Sequence, residues 1–267
     1  MKIFIDSAIL EEIKLVYSYG ICDGVTTNPS LLKKAADKLE GESLEKYIKK
    51  ILKTAKGTPV SLEVTETDYE GMVKQGRRLF KKFNRVANNV YIKIPVNPSF
   101  SSKVSADGIQ AIRTLSKKRI PINCTLIFTP EQALLAAKAG ANIVSPFCGR
   151  IDDFIRKNNK IKFKKEDYFP MEGIEKKKKT LEDNGIVSGI DLVEQIVEIF
   201  KQHNIKSEVI AASMRNPRQV REAALVGSHI ATLPFDVIKQ LLDHKKTQEG
   251  MKNFTKDIVQ EYVNLTE

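Results

Sequence analysis

"NNVYIKIPV", residues 88–96, sets a lysine inside a run of Val, Tyr and Ile that otherwise reads as a buried β-strand. Buried strands of parallel sheets are close to continuously apolar, and a lysine is almost never fully buried without a partner. Lys93 is therefore either a snorkelling side chain on an edge strand or an amine kept for its chemistry. The rest of the chain decides between the two.

Seven further runs of this kind lie on either side, each β-branched, apolar and bounded by Gly, Pro or Asn. With the first, the expected strands are 2–6, 24–28, 59–64, 90–95, 121–127, 142–147, 208–213 and 229–234. Helical patterns separate them, among them "AILEEIKLVYSYG" (8–20) and "PEQALLAAKAGAN" (130–142), where Gly140 marks a helix stop. Strand–helix alternation repeated eight times means a parallel sheet, and eight units close into a barrel. The expectation is α/β, a single (β/α)8 TIM barrel spanning 1–267, a length ordinary for that architecture. A doubly wound open sheet is the competitor, but no strand leads into a G-x-G-x-x-G turn. C-terminal helices are expected at about 235–265, and a basic insertion at about 154–185.

No apolar run is long enough to cross a membrane. The opening "MKIFIDSA" reaches Asp6 too soon for a signal peptide. The cysteines are three (Cys22, Cys124, Cys148) without a C-x-x-C spacing, which reads as free thiols and a cytoplasmic protein. A formal net charge of +11 admits nucleic acid, a membrane surface or anionic small molecules as partners. The excess is spread along the chain, and its densest run, Lys176 to Lys179 in "MEGIEKKKKTLED", reads as a solvated helix face. With no basic–aromatic interleaving and no known nucleic-acid module, no nucleic-acid partner is expected, and no membrane partner either.

At or near the carboxyl ends of seven strands stand Asp6, Asn28, Glu63, Lys93, Thr125, Ser145 and Ser213. In barrels of this kind the active site is built at that end. Alternation along a strand sends Lys93 and Tyr91 inward together and leaves Ile92 and Ile94 to the helices. If Thr125 points inward, Cys124 is a packing residue. Each residue also has a plainer reading: Asp6 and Asn28 as helix caps, Thr125 and Ser145 as bonded core hydroxyls, Glu63 and Lys93 as a structural ion pair. Seven such residues on one rim are more than caps and core hydroxyls account for.

An amine in a partly dry barrel gives up its proton more readily, because burial disfavours the charged form. It can then attack a ketone to form a Schiff base, whose protonated imine lets a neighbouring carbon–carbon bond break or form. Asp6 suits the carboxylate that takes and returns the hydroxyl proton beside that bond. Glu63 with Thr125 suits proton movement through water during imine formation.

The motifs "FIDSA", "DGVTTNPSLL", "VYIKIPV", "INCTLIF", "QALLAAKAGANIVSPFCGRIDD" and "VIAASMRNPRQVREAALVGSHIATLP" resemble the transaldolase family. The likeness is strongest to its short microbial branch, which includes fructose-6-phosphate aldolases, and it runs over nearly the whole chain. The resemblance implies Lys93 as the Schiff-base residue, Asp6 as acid and base, and Glu63 with Thr125 as a water-mediated relay. It implies Asn28 and Ser145 on a dihydroxyacetone unit, and Ser213, Arg150 and Arg215 on a phosphate. Sugar phosphates are the implied substrates, with no metal and no cofactor, in a homo-oligomer. In the aldolase branch tyrosine and glutamine stand where this chain has Phe147 and Glu63, so both residues favour transfer over release. Two classes of alternative remain: a lyase releasing dihydroxyacetone, and a non-catalytic basic binding protein on the same barrel. Two stretches depart from the pattern by their length, the loop "NPSFSSKVSADG" after Lys93 and the basic segment 154–185. The segment is expected to influence substrate choice or assembly and to add little to the barrel's own stability.

Overall fold

The computed structural model describes residues 1–37, 39, 41–98 and 105–265. The chain begins β1 (Lys2–Asp6), α1 (Leu10–Ser18), β2 (Gly24–Thr26), α2 (Pro29–Ala36), α3 (Leu44–Thr54), β3 (Val60–Glu63) and α4 (Tyr69–Ala87). It continues with β4 (Val90–Pro95), α5 (Asp107–Ser116), β5 (Ile122–Ile127), α6 (Pro130–Ala139), β6 (Ile143–Pro146) and α7 (Cys148–Asn158). A short pair, β7 (Glu175–Lys176) and β8 (Lys179–Thr180), precedes α8 (Gly189–Gln202) and β9 (Glu208–Ala211). The chain then runs through α9 (Pro217–Leu225), β10 (Ile230–Leu233), α10 (Phe235–Leu242), α11 (Lys245–Lys256) and α12 (Gln260–Asn264).

Strands β1–β6, β9 and β10 close into an eight-stranded, all-parallel barrel in chain order, with β10 returning to β1. This is the (β/α)8 fold expected from the strand–helix alternation. Ile92, Ile94 and Cys124 pack in the large core between barrel and helices, whereas Tyr91 packs against a small interior cluster of Phe4, Ile143, Ile210, Ala212 and Ile230. The period of two along β4 therefore sorts side chains between the two cores. Phe4 plugs the barrel floor across Gly24, where an added Cβ would lie 2.6 Å from the Phe4 ring. Only glycine fits there.

The helices start where capping chemistry allows. Asn28, Thr129 and Asn216 cap α2, α6 and α9, each accepting a backbone N–H two residues past the proline at the first helical position. This shortens two expected strands. β2 ends at Thr26 because Asn28 already caps α2, and β9 ends at Ala211, two residues before Ser213.

The basic segment differs from its reading as a solvated helix face. Lys176 pairs with Lys179 in an antiparallel hairpin, and Lys177 and Lys178 both take positive φ, 52° and 61°. Positive φ at both central residues is the two-residue turn whose twist matches paired strands. The lysines are exposed, as expected, but on a hairpin. Nor is the segment peripheral to the core. Phe169 and Leu181 are buried in the main hydrophobic cluster, as is Ile186 just past the segment, and Arg156 is buried between the rings of Phe163 and Phe169. Burying a side chain such as Phe169 contributes about 1.5–3 kcal/mol, so the segment supports the fold. Of the loop after Lys93, residues 99–104 lie outside the described residues.

Candidate active site

At the carboxyl ends of the strands lies a cavity of about 260 Å³. Lys93 reaches it from β4, Asp6 and Thr26 from β1 and β2, Ser145 from β6, and Thr232 from β10. Residues just past the strands complete the wall: Asn28, Phe147, Arg150, Ser213 and Arg215. Eight of the ten residues singled out in the sequence thus line one pocket. Glu63 and Thr125 lie behind it.

Lys93 is 4% exposed. Its Nζ lies 3.2 Å from Glu63 Oε2 and donates to the Thr27 carbonyl at 3.1 Å. The barrel register sets this pair, because Glu63 on β3 is the direct neighbour of Lys93 on β4. Asp6 keeps part of its surface open to the cavity but lies deep within it. Burial raises its carboxyl pKa, opposed by the Lys93 charge and by the hydrogen bond from Thr26 Oγ1 at 2.8 Å. Thr26 Oγ1 also meets Thr232 Oγ1 at 2.5 Å, so a hydroxyl chain crosses from β2 to β10 behind the acid.

Ser145 Oγ donates to Asn123 Oδ1 at 2.7 Å, and Asn123 Nδ2 donates to Ser61 Oγ at 3.1 Å. Thr125 Oγ1 is buried and makes no hydrogen bond among the described residues. Phe147 closes the far wall, with its ring centre 6.0 Å from Lys93 Nζ and 5.0 Å from the Arg150 guanidinium. Asn28 serves two ends, capping α2 through Leu31 N at 3.0 Å while lining the pocket.

Arg215 donates to Asp153 Oδ2 at 3.0 Å, and its backbone N–H donates to Gln219 Oε1 at 2.9 Å. Gln219 in turn donates to Asp152, which also accepts Gly189 N–H. Burial pushes the Asp152 carboxyl up to about 7, against the pull of Gly189 N–H and Arg156. Ser213 stands at φ 60° beside the start of α7. An added Cβ at Gly149 would meet Arg215 Nε at 2.3 Å and the Ser213 carbonyl at 2.4 Å, so this approach needs glycine.

Several residues here were not singled out in the sequence. Asn123 was within reach, since it shares an inward period with Thr125 and is a buried amide in an apolar strand. Thr26, Thr232 and Asp153 carried no local signal; their partners are 206, 206 and 62 positions away. Lys34 and Lys165 also line the pocket. Among the described residues five cations, Lys34, Lys93, Arg150, Lys165 and Arg215, thus face a single lining carboxylate, Asp6. The cavity is suited to an anion. Among the described residues no three His, Cys, Asp or Glu are grouped to hold a metal.

The fold and the pocket define a class, a parallel β/α barrel with a buried lysine and an acid at the carboxyl rim and cations around its mouth. A family model described as transaldolase/fructose-6-phosphate aldolase matches residues 3–266. A probable transaldolase of Thermoplasma acidophilum is 40% identical over 257 residues, covering 96% of this chain and 95% of that one. Probable transaldolases of Petrotoga mobilis and of Clostridium botulinum strain Langeland are 40% and 42% identical over 257 residues, with 94% and 96% of their lengths covered. The chain belongs to the transaldolase/fructose-6-phosphate aldolase family, as the motifs of its barrel strands led us to expect.

Proposed function

We propose that the protein is a transaldolase that moves a dihydroxyacetone unit from a ketose phosphate to an aldose phosphate through a Schiff base on Lys93. Fructose 6-phosphate or sedoheptulose 7-phosphate is the donor. The setting is the pentose phosphate pathway of the cytoplasm, and the working form is a homo-oligomer of single-barrel chains acting without metal or cofactor. The observation that carries this reading is the Lys93 amine, buried beside Glu63 at 3.2 Å yet lining the same cavity as Asp6. A purely structural ion pair has no need of an opening to a polar cavity or of a second carboxylate across it.

The Lys93 amine adds to the ketose carbonyl at C2, and the carbinolamine loses water to give the protonated imine. Glu63 and Thr125, on the two strands that flank β4, move protons through water in this step. Asp6 takes the proton of the C4 hydroxyl as the C3–C4 bond breaks. Its electron pair becomes the enamine, and the aldose phosphate leaves. Burial raises the Asp6 carboxyl, which suits a group that must both accept and return a proton in the cycle. The acceptor aldehyde then bonds to C3, Asp6 returns the proton to the new hydroxyl, and water releases the product ketose. Asn28 and Ser145 hold the dihydroxyacetone hydroxyls, while Ser213, Arg150 and Arg215 hold the phosphate, a task to which the planar guanidinium is suited.

Phe147 supports transfer over release. With a ring and no hydroxyl facing Lys93, nothing there orients water to protonate the enamine. Incubation with fructose 6-phosphate and erythrose 4-phosphate, assayed for sedoheptulose 7-phosphate and glyceraldehyde 3-phosphate, tests this reading. Appearance of both products is expected. Free dihydroxyacetone in place of the heptulose would identify a lyase.

A further inference from the structure

We propose that Lys165, carried by the segment between α7 and α8, is a specificity-determining cation that selects phosphorylated over unphosphorylated aldehyde acceptors. The proposal deepens the reading of the pocket as a sugar-phosphate site and rests on it.

Three observations carry it. Lys165 lines the cavity together with Arg150 and Arg215, although it lies outside the barrel strands and their adjoining turns. The turn that carries it is fixed on both sides. Asp167 N–H donates to the Lys164 carbonyl at 3.1 Å, and Asp167 Oδ2 accepts Lys164 N–H at 2.7 Å. The buried Arg156 of α7 donates to the carbonyls of Asp167 and Tyr168, and Tyr168 donates to Glu222 of α9 at 2.6 Å beneath the stacked Arg218. The turn that carries Lys165 is therefore held between α7, which bears Arg150, and α9, which begins two residues after Arg215.

The third observation is charge. A sugar phosphate near neutral pH carries close to two negative charges. Arg215 already shares its charge with Asp153, as their 3.0 Å ion pair shows. Lys34, Arg150 and Lys165 have no carboxylate partner among the described residues. Lys34 stands on α2, so beside Arg215 an arriving dianion is balanced by Arg150 and Lys165 together. Lys165 serves as a mobile point charge, which adapts to acceptors of different length, where the guanidinium fork is fixed in geometry. An acceptor without phosphate gains nothing from it.

The test compares the parent protein with Lys165→Gln and Lys165→Arg, substitutions of an exposed side chain that leave the core untouched. The readout is the ratio of kcat/KM for erythrose 4-phosphate to that for unphosphorylated erythrose. Loss of one charge-assisted contact predicts a fall of about ten-fold or more in this ratio for Lys165→Gln, with recovery in Lys165→Arg. A second arm measures binding of inorganic phosphate to the same proteins by calorimetry, which needs no turnover; weaker binding by Lys165→Gln is expected. An unchanged ratio, or phosphate affinity equal in the parent and Lys165→Gln, overturns the proposal. Parent protein that binds phosphate through Lys165 but transfers no dihydroxyacetone would overturn the reaction assigned above and leave the anion site standing.

Discussion

The proposed choice of transfer over release rests on one side chain, Phe147. It sits two residues past Ser145, its ring faces both Lys93 and Arg150, and it packs edge-on against Phe128 with ring centres 6.1 Å apart. Its ring lines the cavity 6.0 Å from Lys93 Nζ, so a tyrosine there brings a hydroxyl to that wall. Phe147→Tyr is therefore expected to raise release of dihydroxyacetone from fructose 6-phosphate without acceptor, measured by a coupled assay. No rise, in a variant that folds and still transfers, would detach Phe147 from the choice between transfer and release. At this scale the sequence is legible where a residue breaks its local pattern. Lys93 and Glu63 each interrupt an apolar strand. Asp153, by contrast, looks like any helical acid until the fold sets it against Arg215.

Among the elements, α7, α8 and α9 meet at Asp152. This carboxyl accepts Gly189 N–H at 2.7 Å and Gln219 Nε2 at 2.8 Å, and so ties the helix starts together behind Arg215. Its ordinary pKa of 3.8 is raised by burial to about 7. Between those values the unfolded chain has released the proton while the folded chain keeps it. This group's contribution therefore makes stability fall as pH rises from about 4 to about 7 and adds no further slope above that. Asp152→Asn removes the titration, and the variant is expected to lose less stability than the parent between about pH 5 and about pH 7.5 in urea unfolding. Equal changes in the two proteins would show that Asp152 ionises normally. The starts of α2, α6 and α9 were legible, since Asn or Thr before Pro is a cap signal carried by adjacent residues. The hairpin at Lys176–Lys179 was not. Four lysines favour a helix locally, no glycine or asparagine marks the turn, and tertiary contacts of the flanking segment impose the strand pairing.

For the whole molecule, closure of the barrel was readable because eight buried strands recur in register with helices between them. Which side chains of the C-terminal helices stay uncovered was not. α11 contains no buried residue, and Met251, Phe254, Ile258, Val259, Tyr262 and Leu265 are exposed along α11, α12 and their connection. A run of exposed apolar side chains this long is uncommon on a monomer. The homo-oligomer proposed above predicts sedimentation at a multiple of the chain's mass, and a shift toward the monomer when Phe254 and Tyr262 are both replaced by Ser. A monomeric parent protein would contradict the assembly without touching the chemistry.

Reductive trapping probes the proposed role of Lys93 as the amine that captures the ketose. Borohydride added to the protein with fructose 6-phosphate reduces an imine to a stable secondary amine, and peptide mass spectrometry locates it. A single adduct on Lys93 is expected, formed only with sugar present. None is expected in Lys93→Arg, whose guanidinium keeps its proton. An adduct on another lysine, or transfer activity surviving in Lys93→Arg, would contradict it.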